Sequence, residues 1–207
     1  MTGETEVVFL VDDDPAILRA VGRVLHSAGL KTIVFDSPRQ FLSAHDPGVP
    51  GCVVLDLSMP GIDGLEVQER LATANGGRPI IFLTGRADVP TSVRAMKKGA
   101  VDFLTKPVDA DALIQAVSRA LEKDRREREA RREADSVRVL LRELTPREHE
   151  VFVHVVAGKL NKQVAAELGA SEKTIKVHRG RVMEKLRAAS LADLVRLAQR
   201  AGIREPD

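Results

Sequence analysis

Ten residues, Cys52-Val53-Val54-Leu55-Asp56-Leu57-Ser58-Met59-Pro60-Gly61, constrain this chain more than any others. An apolar, β-branched run ends on a carboxylate, and Pro-Gly follows. Such a run predicts a strand buried on both faces, which belongs in a parallel sheet covered on both sides by helices. In open parallel sheets, ligands and chemistry gather at the carboxyl ends of the strands, where Asp56 would stand. Many buried strands end in an ordinary turn aspartate, so the other strand ends must decide what Asp56 is for.

They recur in order along the first part of the chain. Val7–Val11 is apolar and runs into Asp12-Asp13-Asp14-Pro15, where Asp14 suits a helix N-cap and Pro15 a first helical position. Ile17, Leu18, Val21, Val24 and Leu25 carry that helix to Gly29. Thr32–Phe35 predicts a second strand, and Ser37-Pro38 opens a helix with Phe41 and Leu42 facing inward. Beyond the Asp56 strand, Gly64 precedes a helix marked by Leu65, Val67 and Leu71. Pro79–Thr84 predicts a strand ending on a hydroxyl, and Val93 and Met96 mark a helix that stops at Gly99. Asp102–Thr105 is a brief strand before Lys106-Pro107, followed near Asp109 by a helix with Leu113, Val117 and Leu121. Strands alternating with helices in this way predict an α/β domain with a doubly wound, five-stranded parallel sheet.

Aligned at one edge of that sheet, the strand ends bring together Asp12, Asp13, Asp56, Thr84 and Lys106. Carboxylates crowded into one crevice repel each other unless a cation lies between them. An all-oxygen donor set favours a hard ion, Mg²⁺ first. The metal would leave Lys106 free of carboxylates, so that with the Thr84 hydroxyl it could hold an incoming phosphoryl group. Asp56 is then a plausible nucleophile, since carboxylates form acyl phosphates. Taken singly, Asp12–Asp14 could be a turn and cap, Lys106-Pro107 a surface turn and Thr84 an ordinary strand end. Their joint occurrence on successive strand ends is far more specific.

The remainder of the chain has another character. Lys plus Arg set against Asp plus Glu gives a net −3 over residues 1–121, +1 over 122–143 and +4 over 144–207. An acidic front and a basic tail suit cations and nucleic acid respectively. From Glu122 to Glu133 only Ala130 is uncharged. The stretch lacks Gly and Pro, and pairs such as Glu122–Arg126 and Glu127–Arg131 have the favourable i,i+4 order. It predicts a solvated helical connector with no side chain turned to a core. Such a rod could hold the two domains apart, or pack along a partner helix through Leu113, Val117 and Leu121 and later Val137, Leu140 and Leu144. Thr145-Pro146-Arg147-Glu148 reads as a capping box. Four short helices are expected at about 146–157, 161–168, 171–186 and 191–201, with Ser171 and Ser190 as N-caps. The third is basic, with Ile175, Val182 and Leu186 as its inward stripe, and the short helix before it completes a helix-turn-helix pattern.

No apolar run reaches membrane-spanning length and no signal peptide opens the chain, so a cytoplasmic protein without membrane contact is expected. Cys52 is the only cysteine, which excludes a disulfide framework.

Val11-Asp12-Asp13-Asp14, the turn Asp56–Gly61, Leu83-Thr84-Gly85 and Asp102-Phe103-Leu104-Thr105-Lys106-Pro107 together resemble a response-regulator receiver domain, over about residues 5–122. The resemblance implies a flavodoxin-like sheet and a phosphoryl group taken from a sensor histidine kinase on Asp56. It implies Mg²⁺ held by Asp13, Asp56 and the Ser58 backbone carbonyl, with Asp12 acting largely through water. Thr84 and Lys106 would hold phosphoryl oxygens, and Phe103 takes the switch-aromatic position, often Tyr. Leu144–Glu148, Asn161-Lys162-Gln163-Val164-Ala165 and Thr174-Ile175-Lys176-Val177-His178 resemble the LuxR-type effector domain of FixJ/NarL-class regulators, over about residues 142–204. That likeness turns Lys176 and Val177 toward base edges of double-stranded DNA, with Lys173, Thr174, His178, Arg179 and Lys185 as contacts to phosphates or flanking bases. Position 180, Lys in some members, is Gly180 here.

The implied organisation is a receiver at 1–121, a charged helical linker at 122–143 and a small all-α four-helix DNA-binding domain at 144–207. The implied function is a phosphorylation-switched transcription factor. It would dimerise when phosphorylated and bind a pseudo-palindromic operator, with RNA polymerase as a conceivable further partner. It would be a switch rather than an enzyme, with slow self-dephosphorylation at most. A Mg²⁺-dependent aspartate-nucleophile phosphatase is the competing class, but its pattern wants a second Asp where this chain has Ser58. A DNA-binding protein with a dead receiver would not need Asp56, Thr84 and Lys106 together.

Overall fold

In the computed structural model, residues 5–73, 77–85 and 89–203 are described, and the chain forms two units, Met1–Glu127 and Arg128–Asp207. In the first, β1 (Val7–Val11), α1 (Pro15–Ser27), β2 (Lys31–Phe35), α2 (Pro38–Ala44), β3 (Gly51–Asp56), α3 (Gly64–Thr73), β4 (Ile80–Thr84), α4 (Val89–Lys97) and β5 (Asp102–Thr105) alternate as expected. A long helix, α5 (Ala110–Leu141), then leads into the second unit. The sheet is parallel with order β2-β1-β3-β4-β5. Every residue of β1, β3 and β4 is buried, which is why these strands read as continuous apolar runs rather than alternating ones. β2 lies at an edge and is largely exposed.

Two apolar layers sandwich the sheet. Phe9, Phe35, Val53, Leu55 and Phe82 pack against Phe41 of α2, Leu65, Val67 and Leu71 of α3, and Ala95 of α4. On the other face Val8, Leu10, Val54 and Ile81 pack against Val21 and Leu25 of α1 and Leu113, Ala116, Val117, Ala120 and Leu121 of α5. Leu113, Val117 and Leu121 therefore cover the sheet, as the alternation of strands and helices predicts, and of the two roles open to the connector, packing along a partner helix through these three residues is closed to it. One expectation fails. Asp124, inside the charged stretch, is 1% exposed, and its carboxylate accepts the Gly51 N–H at 2.8 Å. A backbone donor at the start of β3 meets one oxygen of the buried carboxylate, so a charged residue can face this core. Gly51 itself is required, because a Cβ there would stand 1.8 Å from the Val7 carbonyl oxygen. Cys52 is fully buried, and burial pushes its thiol up to about 12, leaving it an inert core residue.

Gly22 is the one interior glycine of α1, and a Cβ there would meet nothing within 4 Å. Since glycine is a poor helix former, Gly22→Ala is expected to stabilise α1 by about 0.5–1 kcal/mol. Native-state amide exchange across α1 checks this, and faster exchange in the variant would refute it.

The second unit contains α6 (Pro146–Val156), α7 (Asn161–Glu167), α8 (Glu172–Lys185) and α9 (Leu191–Arg200), close to the expected boundaries. Thr145 and Glu148 form the expected capping box, and Ser171 and Ser190 cap α8 and α9. Val151, Phe152, Val164, Ile175, Val182, Leu186 and Leu194 make its core. Leu140, Leu141 and Leu144 pack against that core, so they too are not an open seam along the long helix.

Candidate functional site

The ends of β1, β3, β4 and the β5–α5 turn converge at the carboxyl edge of the sheet. Asp12 and Asp56 are buried, at 0% and 4% exposure, while Asp13 is exposed. Each carboxylate of Asp12, Asp13 and Asp56 offers an oxygen within 4.8 Å of the others. Asp12 Oδ1 accepts the Asp14 N–H at 3.0 Å, and Asp14 caps α1 by accepting from Ala16 N–H at 2.7 Å. Of the three adjacent aspartates, the first is thus buried in the crevice and the third is committed to the helix cap. Asp56 Oδ2 accepts the Ser58 N–H at 3.2 Å, which folds the turn after β3 over the carboxylate. Gly64 lets α3 begin against this turn: a Cβ there would stand 2.6 Å from the Asp56 carbonyl oxygen.

Lys106 reaches into the crevice. Its Nζ lies 2.6 Å from Asp12 Oδ2 and 2.8 Å from Asp56 Oδ1. Two buried negative charges draw the ammonium between them. Burial alone would lower the lysine's affinity for its proton, but hydrogen bonds to Asp12 and Asp56 outweigh that and raise it. Burial also pushes the Asp56 carboxyl above its ordinary value, against the opposing pull of Lys106. Thr84 is buried beside them, and its backbone carbonyl accepts the Lys106 N–H at 2.7 Å, tying the β4 end to the lysine. Phe103 is half-buried on β5, its ring 6.2 Å from that of Phe82.

In the second unit, Ile175 and Val182 anchor α8 to the core. Lys173, Thr174, Lys176, Val177, Gly180 and Arg181 are exposed on it. Lys173, Lys176, Val177 and Gly180 follow the i, i+3, i+4, i+7 spacing of one helix face. The Thr174 hydroxyl lies 2.7 Å from that of Ser171, so it also belongs to the cap. The other expected contacts are placed differently. Arg179 is half-buried and donates to Asn161 Oδ1 at 3.2 Å, linking α8 to α7. His178 is half-buried with Nδ1 closed to solvent. Lys185 donates to Glu148 Oε2 at 2.6 Å and to the Glu143 carbonyl at 3.0 Å.

Glu148, which sequence reasoning took only as half of a capping box, is thus a buried hub. Its carboxylate also accepts the Thr145 N–H at 2.9 Å. The Lys185 ammonium first, then the Thr145 N–H, hold its carboxyl down at about 2. Removing either charge should cost this unit about 2 kcal/mol near neutral pH. Because the folded value lies below the unfolded one of about 4.3, the Glu148 contribution is complete above about pH 4.5 and is lost as pH falls toward 2. Melts of native protein and Glu148→Gln between about pH 7 and about pH 3 should converge on acidification. A constant gap would refute the pairing as its cause.

The fold and this crevice define a regulatory receiver joined to a helix-turn-helix module. Residues 8–118 match the response regulator receiver domain family, and residues 142–198 match the bacterial regulatory proteins of the luxR family. The chain belongs to the two-component response regulators of the FixJ class and is a phosphorylation-regulated transcription factor. It is 48% identical to nodulation protein W of Bradyrhizobium diazoefficiens over 197 residues, covering 95% of this chain and 87% of the relative. It is 41% identical to the transcriptional regulatory protein FixJ of the same organism, covering 95% and 96%. Among solved structures, response regulator StyR matches with a TM-score of 0.78 at 43% identity, covering 95% of this chain and 99% of that one. The family implies a kinase partner for the first unit and DNA for the second. Among the described residues, no helix is long and apolar enough to cross a membrane.

Proposed function

We propose that Asp56 is the phosphoryl acceptor and that its phosphorylation drives dimerisation and operator binding. The observation that carries this reading is the Asp12–Lys106–Asp56 contact, which places a nucleophilic carboxylate and a cation at one strand edge. An Asp56 oxygen bonds to phosphorus while the phosphorus–nitrogen bond of the kinase phosphohistidine breaks, and the electron pair leaves with the imidazole. Lys106 and the Thr84 hydroxyl hold the transferred oxygens. The donor set suits a hard divalent ion: Asp13, Asp56 and the Ser58 carbonyl would hold Mg²⁺, with Asp12 acting largely through water, and the ion would neutralise charge on the phosphoryl group. Phosphate adds negative charge and acceptors at the end of β3, and Thr84 and Phe103 shift in response. The face of α4 and β5 is thereby remodelled for pairing with a second copy, and two α8 helices meet successive half-sites. The functional divisions are the receiver at 1–121, the linker at 122–143 and the DNA-binding domain at 144–207.

Lys176 and Val177 on the exposed face of α8 are the base-reading candidates, with Lys173 and Thr174 beside them. Lys185 is assigned to the pairing with Glu148, and Arg179 positions α8 through Asn161 as well as facing phosphate. Lys176→Ala is expected to weaken operator binding by about 1–3 kcal/mol and relax preference at one base step. Arg179→Ala should weaken operator and random DNA alike and reduce the salt slope by about one. Footprinting and salt titrations, with and without a small phosphodonor, test both. Equal operator protection in the two states would sink the switch, and reversed behaviour of the two variants would exchange their roles.

A further inference from the structure

The receiver sheet is covered unequally. Three helices, α2, α3 and α4, pack on one face, but only α1 and α5 pack on the other. The shortfall falls at β2, the edge strand, where Val34 is 46% exposed. Between β2 and α1 runs an open groove of about 890 Å³. Leu18, Leu30 and Val34 give it apolar walls, and Arg19, Arg23 and Lys31 give it charge, while among the described residues no carboxylate lines it. Those three cations lie on a domain whose net charge is −3 over residues 1–121, and among the described residues their side chains form no ion pair. Along α1 the groove is lined by Arg19, Gly22, Arg23 and His26, an i, i+3, i+4, i+7 stripe. Gly22 is the notch in that stripe. The fold makes no use of its missing side chain, since a Cβ there would touch nothing.

We propose that this groove docks an acidic amphipathic helix of a partner protein. A helix there would supply the third covering element that this face of the sheet lacks. The apolar walls call for one apolar stripe, and three unpaired cations call for carboxylates flanking it. From Leu18 to His26 the α1 flank extends about 12 Å, enough for roughly two turns of the incoming helix. The notch at Gly22 allows a large apolar side chain to approach the α1 backbone.

The test uses the full chain and a fluorescent, end-blocked peptide of about 18 residues, long enough to hold helix, with Leu at i, i+3, i+4 and i+7 and Glu on both flanks. Its counterpart carries Lys in place of Glu. The Glu peptide is expected to bind and to slow amide exchange across α1 and β2. Arg19→Glu with Arg23→Glu should weaken it tenfold or more, and Gly22→Leu should do likewise by filling the notch. Both variants should still melt cooperatively and accept label from a small phosphodonor. No binding, equal binding of the Lys peptide, or protection confined to another surface would overturn the proposal. Self-association of the chain that the Arg19/Arg23 variant abolishes would also overturn it, since a second copy would then be the occupant. Exchange mapping on the unmodified chain decides the matter if a variant fails to fold.

Discussion

Asp56→Asn is expected to abolish Mg²⁺-dependent phosphorylation, taking label from about one phosphoryl group per chain to background. The amide is nearly isosteric with the carboxylate, so it fits the site while losing the charge and nucleophilicity. It also frees Lys106 from one of its two partners, leaving the contact with Asp12 Oδ2 at 2.6 Å. The fold should therefore survive, and a normal amide-exchange pattern in β1 and β3 would establish that the loss is chemical. Labelling with a small phosphodonor, read by intact mass, is the measurement, and full incorporation would move the acceptor elsewhere. Lys106→Ala differs in kind. It leaves buried Asp12 and Asp56 facing each other without the ammonium, so Mg²⁺ should raise the stability of this variant more than that of the native chain. Label should still enter, but the shift to a dimer on sizing should be lost, because the link from phosphate to the end of β5 is gone.

The crevice was legible in the sequence for a physical reason. Strands buried on both faces must be apolar throughout, so a carboxylate at the end of one stands out, as Asp12 and Asp56 do. The same contrast between apolar stripe and basic face made α8 readable. Pairings between distant segments were not legible. Nothing near Asp124 in sequence signals that Gly51 lies against it, and the charge-dense surroundings argue for solvent. Lys185 looked like one more cation on a basic helix because its partner Glu148 lies on another element. The apolar residues of α5 were recognised, but their period could not tell a partner helix from the sheet beneath them. Gly51 and Gly64 were visible as glycines, yet the reason for each is a backbone carbonyl that only the fold brings close.

Inserting Gly-Gly near Ala130 is expected to leave phosphorylation intact and to cut the gain in operator affinity on phosphorylation by about tenfold or more, a loss of about 1.4 kcal/mol. The helix Ala110–Leu141 is continuous, and its charged middle is held by local pairing, including Glu122 with Arg126 and Arg138 with Asp135 at 2.9 Å. Such pairs contribute only a few tenths of a kcal/mol each, and two glycines cost about 2 kcal/mol relative to alanine. The insertion therefore outweighs several pairs at once and interrupts the backbone ladder where no core contact can restore it. Asp124, bonded to Gly51, still fixes the stretch before the insertion, and Leu140 and Leu141 still fix the stretch after it. Both units should stay folded while the continuous helix between them is lost. A linker of good helix formers without Gly or Pro transmits orientation, whereas a flexible one sets only an effective concentration. Operator titrations of phosphorylated native and inserted chains, with exchange across residues 125–136, separate the two cases. Unchanged affinity gain in the inserted chain, or fast exchange through that segment in the native one, would reduce the helix to a tether.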